Sequence, residues 1–509
     1  KDILKDDWGF QGLVMSDWGA VHHTDLTVFN GLDIEMGTKA PYEDNYLAAP
    51  FLEGLQNGKY PVAALDEMVR RHLYVMFKLN LIYDPSNPPA GKPEPTTPLS
   101  TKAHQAAAQQ IAEAAFVLLK NNNNFLPLDI AHIPTIAVIG GNATAQFCHS
   151  GGSANIKVPF EVTALAGISN FVGGKAKIVY AEGYYPPGNR GQPGHKPDGN
   201  VATAADSSQL VDQAVAVAKS AYVVIYVGVL NRRGGFDCEG SDRKDIELPA
   251  GQDKLLKQIV RANPRTVVVL IGGGAVEMDK SWLAPVPALL YAWYPGIEGG
   301  NALARVLFGD VNPSGKLPCT FPKRLADTPA TALDAYPGEK GTVVYKEGLL
   351  VGYRWYDTKD IEPLFPFGYG LSYTHFAYTN LNLVQNGGAT GLPLAVEFEL
   401  ANTGNRAGAE VAEIYVQPVH PGVFRPVKEL KGFAKVFLQP GERQKVSVTL
   451  GENAFAYYDV GTRSWVAEKG EYKILVGRSS RDIPLTGDFQ LAQTIYQPER
   501  VSQGAQSAR

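Results

Sequence analysis

Two acidic side chains, Asp17 and Glu239, stand where a folded chain could put them to chemical use. Asp17 comes two residues after the apolar run Leu13-Val14-Met15. Glu239 lies in a polar, glycine-bearing loop that follows the apolar run YVVIYVGV at 222–229. Carboxyl groups at strand ends suit acetal hydrolysis. One delivers a proton to the leaving oxygen while the other attacks, or draws a proton from water. Position alone leaves each with a plainer role. Asp17 could cap the helix that follows it, and Glu239 could be one charge on a solvated loop.

Other combinations carry less. Gly151-Gly152-Ser153 presents backbone N–H groups like an anion nest, but no lysine follows as a nucleotide loop requires. Gly140-Gly141-Asn142 follows a strand like a dinucleotide turn, without the third glycine. His22 and His23 could form a metal pair, but no third ligand is suggested. The spacing of Cys148, Cys238 and Cys319 is not that of zinc ligands. No cofactor or metal is expected. Glu35 ends a strand and reads as a partner for local hydrogen bonds, and Lys120 with Asn121 to Asn124 reads as a helix end and turn.

The segments that must position these groups change character along the chain. Leu13-Val14-Met15 and 31–36 read as short buried parallel strands flanking a helix at 25–30. An amphipathic helix over 61–82 would turn Leu65, Val69, Leu73, Met76 and Phe77 to one side. Residues 1–83 therefore resemble the last units of a (β/α) barrel. Two strands cannot close one, so the chain is expected to be the carboxyl-terminal part of a larger protein. A Pro-rich linker is predicted over 84–101. A helix over 104–119 and strands at 136–141, 177–181, 222–229, 266–272 and 288–293 alternate with helices through 102–322, giving a doubly wound α/β sandwich domain. An irregular wrap follows at 323–380. From 381 to 495 the period becomes two, as in an immunoglobulin-like or fibronectin-like β-sandwich. Residues 496–509 read as a polar tail.

Composition agrees with a folded multidomain α/β chain. The 509 residues exceed what one core serves, and 45% are hydrophobic against 19% charged. With 47 basic and 51 acidic residues, a chain-wide cationic surface for nucleic acid is excluded. No apolar run reaches the roughly 20 residues that span a bilayer. Three cysteines permit at most one internal disulfide.

The motifs then take on a family pattern. GFQGLVMSDWGA (9–20) resembles the nucleophile segment of glycoside hydrolase family 3, the β-glucosidase and β-xylosidase family. KNNNNFLPL (120–128), GGSANIKVP (151–159), CEGSDRKDIELPAGQ (238–252), the block at 293–322 and YRWYDTKDIEPLFPFGYGLSYTHFAY (353–378) resemble its later segments in order. The resemblance implies that Asp17 is the nucleophile and Glu239 the general acid/base. Where this chain has Cys238 the family often has Gly or Glu, so Asp237 is the reserve. It implies substrate contacts at Trp18, His22, Ser153 and Arg243. For Trp18 the alternative is packing under a barrel rim. Asp242 and Arg243 are expected to pair and hold the loop.

The implied activity is that of a retaining, exo-acting β-glycosidase, foremost a β-glucosidase acting by double displacement, with the substrate between the first and second domains. A β-xylosidase or α-L-arabinosidase of the same family is the alternative. A non-catalytic carbohydrate-binding or assembly fragment is the third reading, should no segment complete the barrel. Expected partners are β-linked glucosides or short oligosaccharides and an amino-terminal barrel segment or chain, with a homodimer left open. Neither nucleic acid nor membrane is expected. The resemblance places the protein outside the cytoplasm, extracellular or periplasmic.

Overall fold

The structure, a computed structural model, describes residues 1–82, 100–149, 151–185, 204–232, 236–240, 242–387 and 390–498. The expected linker at 84–101 therefore lies mostly outside the described residues. Contacts divide the chain into two units. The first holds residues up to 82 with 461–464 and 498, and the second holds the other described residues.

In the first unit, helices α1 (Thr24–Phe29), α2 (Ala49–Gln56) and α3 (Val62–Lys78) pack around Val28, Phe51, Tyr60 and Met68. The two expected strands meet only at a parallel bridge between Met15 and Ile34. A side chain takes over part of the ladder. Asp33 accepts the Val14 N–H at 2.7 Å, and the buried Lys5 ammonium holds both its oxygens at 2.7 and 2.8 Å. Helix α3 corrects the expected packing. Leu65, Val69, Leu73 and Phe77 are exposed, while Met68 and Arg71 are buried. Arg71 donates to the carbonyls of Phe10 and Gly12, both at 2.8 Å, and so ties α3 to the segment leading to Asp17.

The second unit opens with α4 (Lys102–Ala115), capped by the Thr101 side chain. The helix expected over 104–119 stops there, because Val117–Asn121 forms strand β1. Phe116, Val117, Leu118 and Leu119 are essentially inaccessible, and burial on both sides favours a strand over another helical turn. There follow β2 (Thr135–Ile139), α5 (Ala164–Val172), β3 (Lys177–Ala181), α6 (Ala204–Ser220), β4 (Val223–Val229), α7 (Gln252–Ala262), β5 (Thr266–Ile271), α8 (Lys280–Leu283), β6 (Ala288–Tyr291) and α9 (Gly299–Leu307). The sheet order is β1-β6-β5-β4-β2-β3, parallel throughout except for β1, which runs antiparallel to β6.

Alternate residues of each strand feed two cores. Val223, Ile225 and Val227 join the core containing residues of α4, α5 and α9, while Val224 and Tyr226 join the one containing residues of α6 and α7. That is why these strands read as unbroken apolar runs. Helices α5 and α9 cross backbone to backbone. A Cβ on Gly300 would lie 2.0 Å from the Thr163 carbonyl oxygen.

Residues 323–375 carry short helical turns, and the sandwich begins at β7 (Phe376–Gln385), before the expected 381. Strand β7 pairs with β8 (Leu394–Asn402), whose register recruits a segment with weak alternation of its own. Strands β9 (Gly408–Pro418), β10 (Glu429–Leu438), β11 (Arg443–Leu450), β12 (Tyr457–Asp459), β13 (Ser464–Ala467), β14 (Gly470–Gly477), β15 (Leu485–Leu491) and β16 (Ile495–Pro498) complete it. The sheets are β10-β9-β14-β15, β11-β8-β7 and β12-β13-β16. The expected tail thus starts with strand β16, and residues 499–509 lie outside the description. No disulfide joins any of the three cysteines.

One buried carboxyl in the sandwich sets a pH dependence. Burial pushes Glu413 up to about 7, with Glu410 adding repulsion and Lys316 and the Tyr415 hydroxyl opposing the shift. The folded state holds this proton more tightly than the unfolded chain, whose ordinary value is 4.5. Stability from this group is therefore full below about pH 4.5 and falls as pH rises through about 7, by about 3 kcal/mol. Thermal melting of Glu413→Gln across that range should show a flatter profile than the parent. An unchanged profile would remove Glu413 as the cause.

Candidate active site

Within the parallel sheet the winding direction reverses between β2 and β4, and open α/β sheets place ligands at the carboxyl ends of strands at such a point. The loops after β2, β4, β5 and β6 meet there around a recess of about 590 Å³. Arg232, Asp237, Glu239, Arg243, Gly273 and Tyr294 are among its lining residues. Asn142, buried after β2, fastens two of these loops. It donates to the Leu230 carbonyl at 2.7 Å and accepts from the Tyr184 hydroxyl at 2.8 Å.

Glu239 is exposed at the recess, and the glycine loop after β2 sits against it. The Ser153 N–H donates to Glu239 Oε2 at 2.6 Å, and the Ser153 hydroxyl donates to the same oxygen. Gly152 permits this approach. Its φ is +78°, and a Cβ there would lie 2.6 Å from the Glu239 Cβ. Ser153, expected as a substrate contact, thus touches the acid/base candidate directly. Its two bonds hold the carboxyl below its ordinary range. The ionised form suits the step in which a carboxylate activates water, whereas the first step needs the proton. Ser153→Ala should therefore shift the alkaline limb of kcat/KM upward in pH for substrates with poor leaving groups. A limb that stays in place would show that Ser153 does not tune this group.

Asp237, the reserve candidate, is occupied. Its Oδ2 accepts from the Gly273 N–H at 2.6 Å and the Tyr294 hydroxyl at 2.8 Å, and its Oδ1 lies 3.7 Å from Arg243 Nε. A carboxylate so engaged holds loops together and is poorly placed to move a proton. The expected Asp242–Arg243 pair does not form. Arg243 turns to Asp237 and donates to the Ala275 carbonyl at 3.1 Å, while Asp242 accepts from the Tyr336 hydroxyl. Successive side chains on an extended loop point apart, so each finds a partner from elsewhere. Arg243 Nη1 is buried without a partner among the described residues.

In the first unit, Asp17 caps no helix. Its Oδ1 accepts from the adjacent Trp18 N–H at 2.7 Å, and α1 begins only at Thr24. The turn that carries it is fixed on both sides. Ser16 N donates to the Ile34 carbonyl at 3.0 Å, the Met36 N–H to Ser16 Oγ at 2.9 Å, and the Gly19 N–H to the Met36 carbonyl at 2.9 Å. Asp17 is left exposed. Trp18 is 64% exposed, so it does not act as core filler in this unit. His22 and His23 line a groove with Asp25 and Tyr60. Glu35 accepts the N–H groups of Tyr46 and Leu47 at 3.2 and 2.6 Å, the local role expected of it. No group of three His, Cys, Asp or Glu side chains able to hold a metal occurs among the described residues. No helix among them is long and apolar enough to cross a membrane.

Two polar residues escaped the sequence reading. Asn142 looks like any residue of a glycine turn. Gln252 left a signal: it falls on the stripe of α7 that otherwise buries Leu255, Leu256, Ile259 and Val260. An amide in an apolar stripe asks for a partner.

Residues 116–373 match the glycosyl hydrolase family 3 C-terminal domain, and residues 410–480 match a fibronectin type III-like domain. The chain is 38% identical to the β-glucosidase BoGH3A of Bacteroides ovatus, over 97% of its own length and 66% of that protein's. It is 36% identical to an exo-α-(1→6)-L-arabinopyranosidase of Bifidobacterium breve, over 95% of its length and 60% of that protein's. The crystal structure of a GH3 β-glucosidase from Bifidobacterium adolescentis superposes with a TM-score of 0.82 at 34% identity, covering 97% of this chain and 66% of that one. The chain thus spans somewhat under two thirds of the length of these relatives.

Proposed function

The chain belongs to glycosyl hydrolase family 3, and we propose that it serves a retaining, exo-acting β-glycosidase, foremost a β-glucosidase releasing terminal β-D-glucosyl residues. The observation that carries this reading is Glu239, an exposed carboxyl at the sheet's switch point beside an Asp237 already fully engaged. Asp17 attacks the anomeric carbon as Glu239 protonates the leaving oxygen. The covalent glycosyl ester is then cleaved by water that gives its proton to Glu239. Trp18 and His22 contact the sugar from the nucleophile's side, and Arg243 from the acid's side. An amino-terminal barrel segment or chain covers Leu65, Val69, Leu73 and Phe77, which are exposed in the first unit.

A second reading, an α-L-arabinosidase, is favoured by the likeness to the arabinopyranosidase. One experiment separates the two. The full-length protein is given aryl β-D-glucoside, β-D-xyloside and α-L-arabinopyranoside, and the first-formed anomer is followed by NMR. Release of β-glucose at the highest kcat/KM supports the proposal. An inverted product would defeat the double displacement, and preference for a pentoside would reassign the substrate. Export to the periplasm or beyond is proposed as well. The first thirty residues of the full gene should encode an export signal, and a start without one would refute it.

A further inference from the structure

We propose that Gln252 is a positioning residue for proton transfer, its buried amide fixing the turn at Val229 from which the loop bearing Glu239 departs. The inference rests on the reading of Glu239 as the acid/base.

Val229 ends β4 with φ +102°, a conformation a β-branched residue rarely takes. In the next residue the chain leaves the sheet for the loop that contains Arg232, Asp237 and Glu239. A strained residue persists only where its surroundings over-determine it, and here one side chain does so. Gln252 has no accessible surface. Its Oε1 accepts the Val229 N–H at 2.7 Å, and its Nε2 donates to the Val229 carbonyl at 2.8 Å. The Tyr226 hydroxyl donates to the same Oε1 at 3.0 Å and so fixes the amide's orientation. Gly228 makes the room, because a Cβ there would lie 2.4 Å from that oxygen. Both backbone groups of Val229 are thereby satisfied from α7. Beyond it, Leu230 is caught on either side: its N–H donates to the Ile271 carbonyl at 3.0 Å, and its carbonyl accepts from Asn142. The departure of the loop is set before it reaches the recess. Gln252 is no lining residue of that recess, so its effect must pass through the backbone.

Proton transfer depends steeply on where the donor stands, and a displacement of about 1 Å costs on the order of 10²-fold. In the full-length protein, Gln252→Met should lower kcat/KM by roughly that factor for an alkyl or methoxyphenyl glucoside. A dinitrophenyl glucoside, whose leaving group departs without a proton, should be hydrolysed at close to the parent rate in the first step. Gln252→Glu, assayed at about pH 5 where a buried carboxyl keeps its proton, should recover the poor substrate. Equal loss on both substrates, or no loss in a folded Gln252→Met, would overturn the inference. Should Gln252→Met fail to fold, Gln252→Glu decides alone. Raising the pH until its carboxyl ionises should lower its turnover of the poor substrate relative to the parent's at the same pH, with the dinitrophenyl glucoside unaffected, and a ratio to the parent that stays constant with pH counts against the role. Glu239→Ala measured on the same pair is the control. Without leaving-group dependence there, the acid/base reading itself fails, and this inference with it. With dependence there but none in the Gln252 variants, only the positioning role is lost.

Discussion

Asp17→Ala should abolish turnover of every β-glycoside the full-length protein accepts, with kcat falling on the order of 10⁴- to 10⁶-fold, the range seen when one member of a covalent catalytic unit is removed. No glycosyl ester can form without the carboxylate. The fold should survive, because Asp17 is exposed and, among the described residues, its side chain accepts only the adjacent Trp18 N–H. The loss should therefore appear in kcat with the melting temperature near that of the parent. Azide can enter the space the carboxylate vacates and attack from the same side. The product expected by NMR is then the α-glycosyl azide, formed with a single inversion. Residual hydrolysis within tenfold of the parent would move the nucleophile elsewhere.

The second large effect is selective. Glu239→Ala should cost on the order of 10²- to 10⁴-fold on substrates whose leaving group needs a proton. It should spare the first step on a dinitrophenyl glycoside. Deglycosylation would still be slow, because water lacks its base, so a burst of dinitrophenolate should precede a slow steady state. Azide needs no base. It should restore turnover and give the β-glycosyl azide, the product of two inversions. Opposite anomers from the two variants would assign the two carboxyl groups by role. If the Glu239 variant handles poor leaving groups as the parent does, the acid/base lies elsewhere. Asp237 would then be tested, although its bonds to Gly273 and Tyr294 argue against it.

How much of this was legible beforehand depended on where each residue's partners lie. Strands β4 and β5 are unbroken apolar runs because helices cover both faces of the sheet, and nothing distant is needed to recognise them. Strand β1 escaped notice. Val117, Leu118 and Leu119 continue an Ala-rich helix without a turn signal, and what makes them a strand is β6, some 170 residues away. Strands β7 and β16 were missed likewise, since FAYTNLNLVQ and IYQP gain their pairing from neighbours. At the site, Glu239 could be placed from the strand before it. Asp242 and Arg243 could not, because adjacent opposite charges suggest a pair, and the true partners, Tyr336 and Asp237, are a matter of loop path. Asp17 was legible in place and type, and its want of a helix to cap emerged only from the structure.

Strand β1 has a consequence for how the protein is made. Its outer edge is covered by the segment around Leu371, whose N–H donates to the Leu118 carbonyl at 2.8 Å. Close by, the Tyr369 hydroxyl donates to the Leu119 carbonyl across a separation of 250 residues. A ribosome adding roughly 5–20 residues per second needs on the order of 10–50 s to supply that cover after β1 has emerged. Through that interval β1 lacks first β6 and then its cover, and once β6 has paired with it the nascent sheet carries an unpaired apolar edge, the kind that recruits strands from other chains. Synthesis that pauses inside this stretch would lengthen the exposure, and faster elongation or a chaperone that shields strand edges would raise the yield of soluble protein.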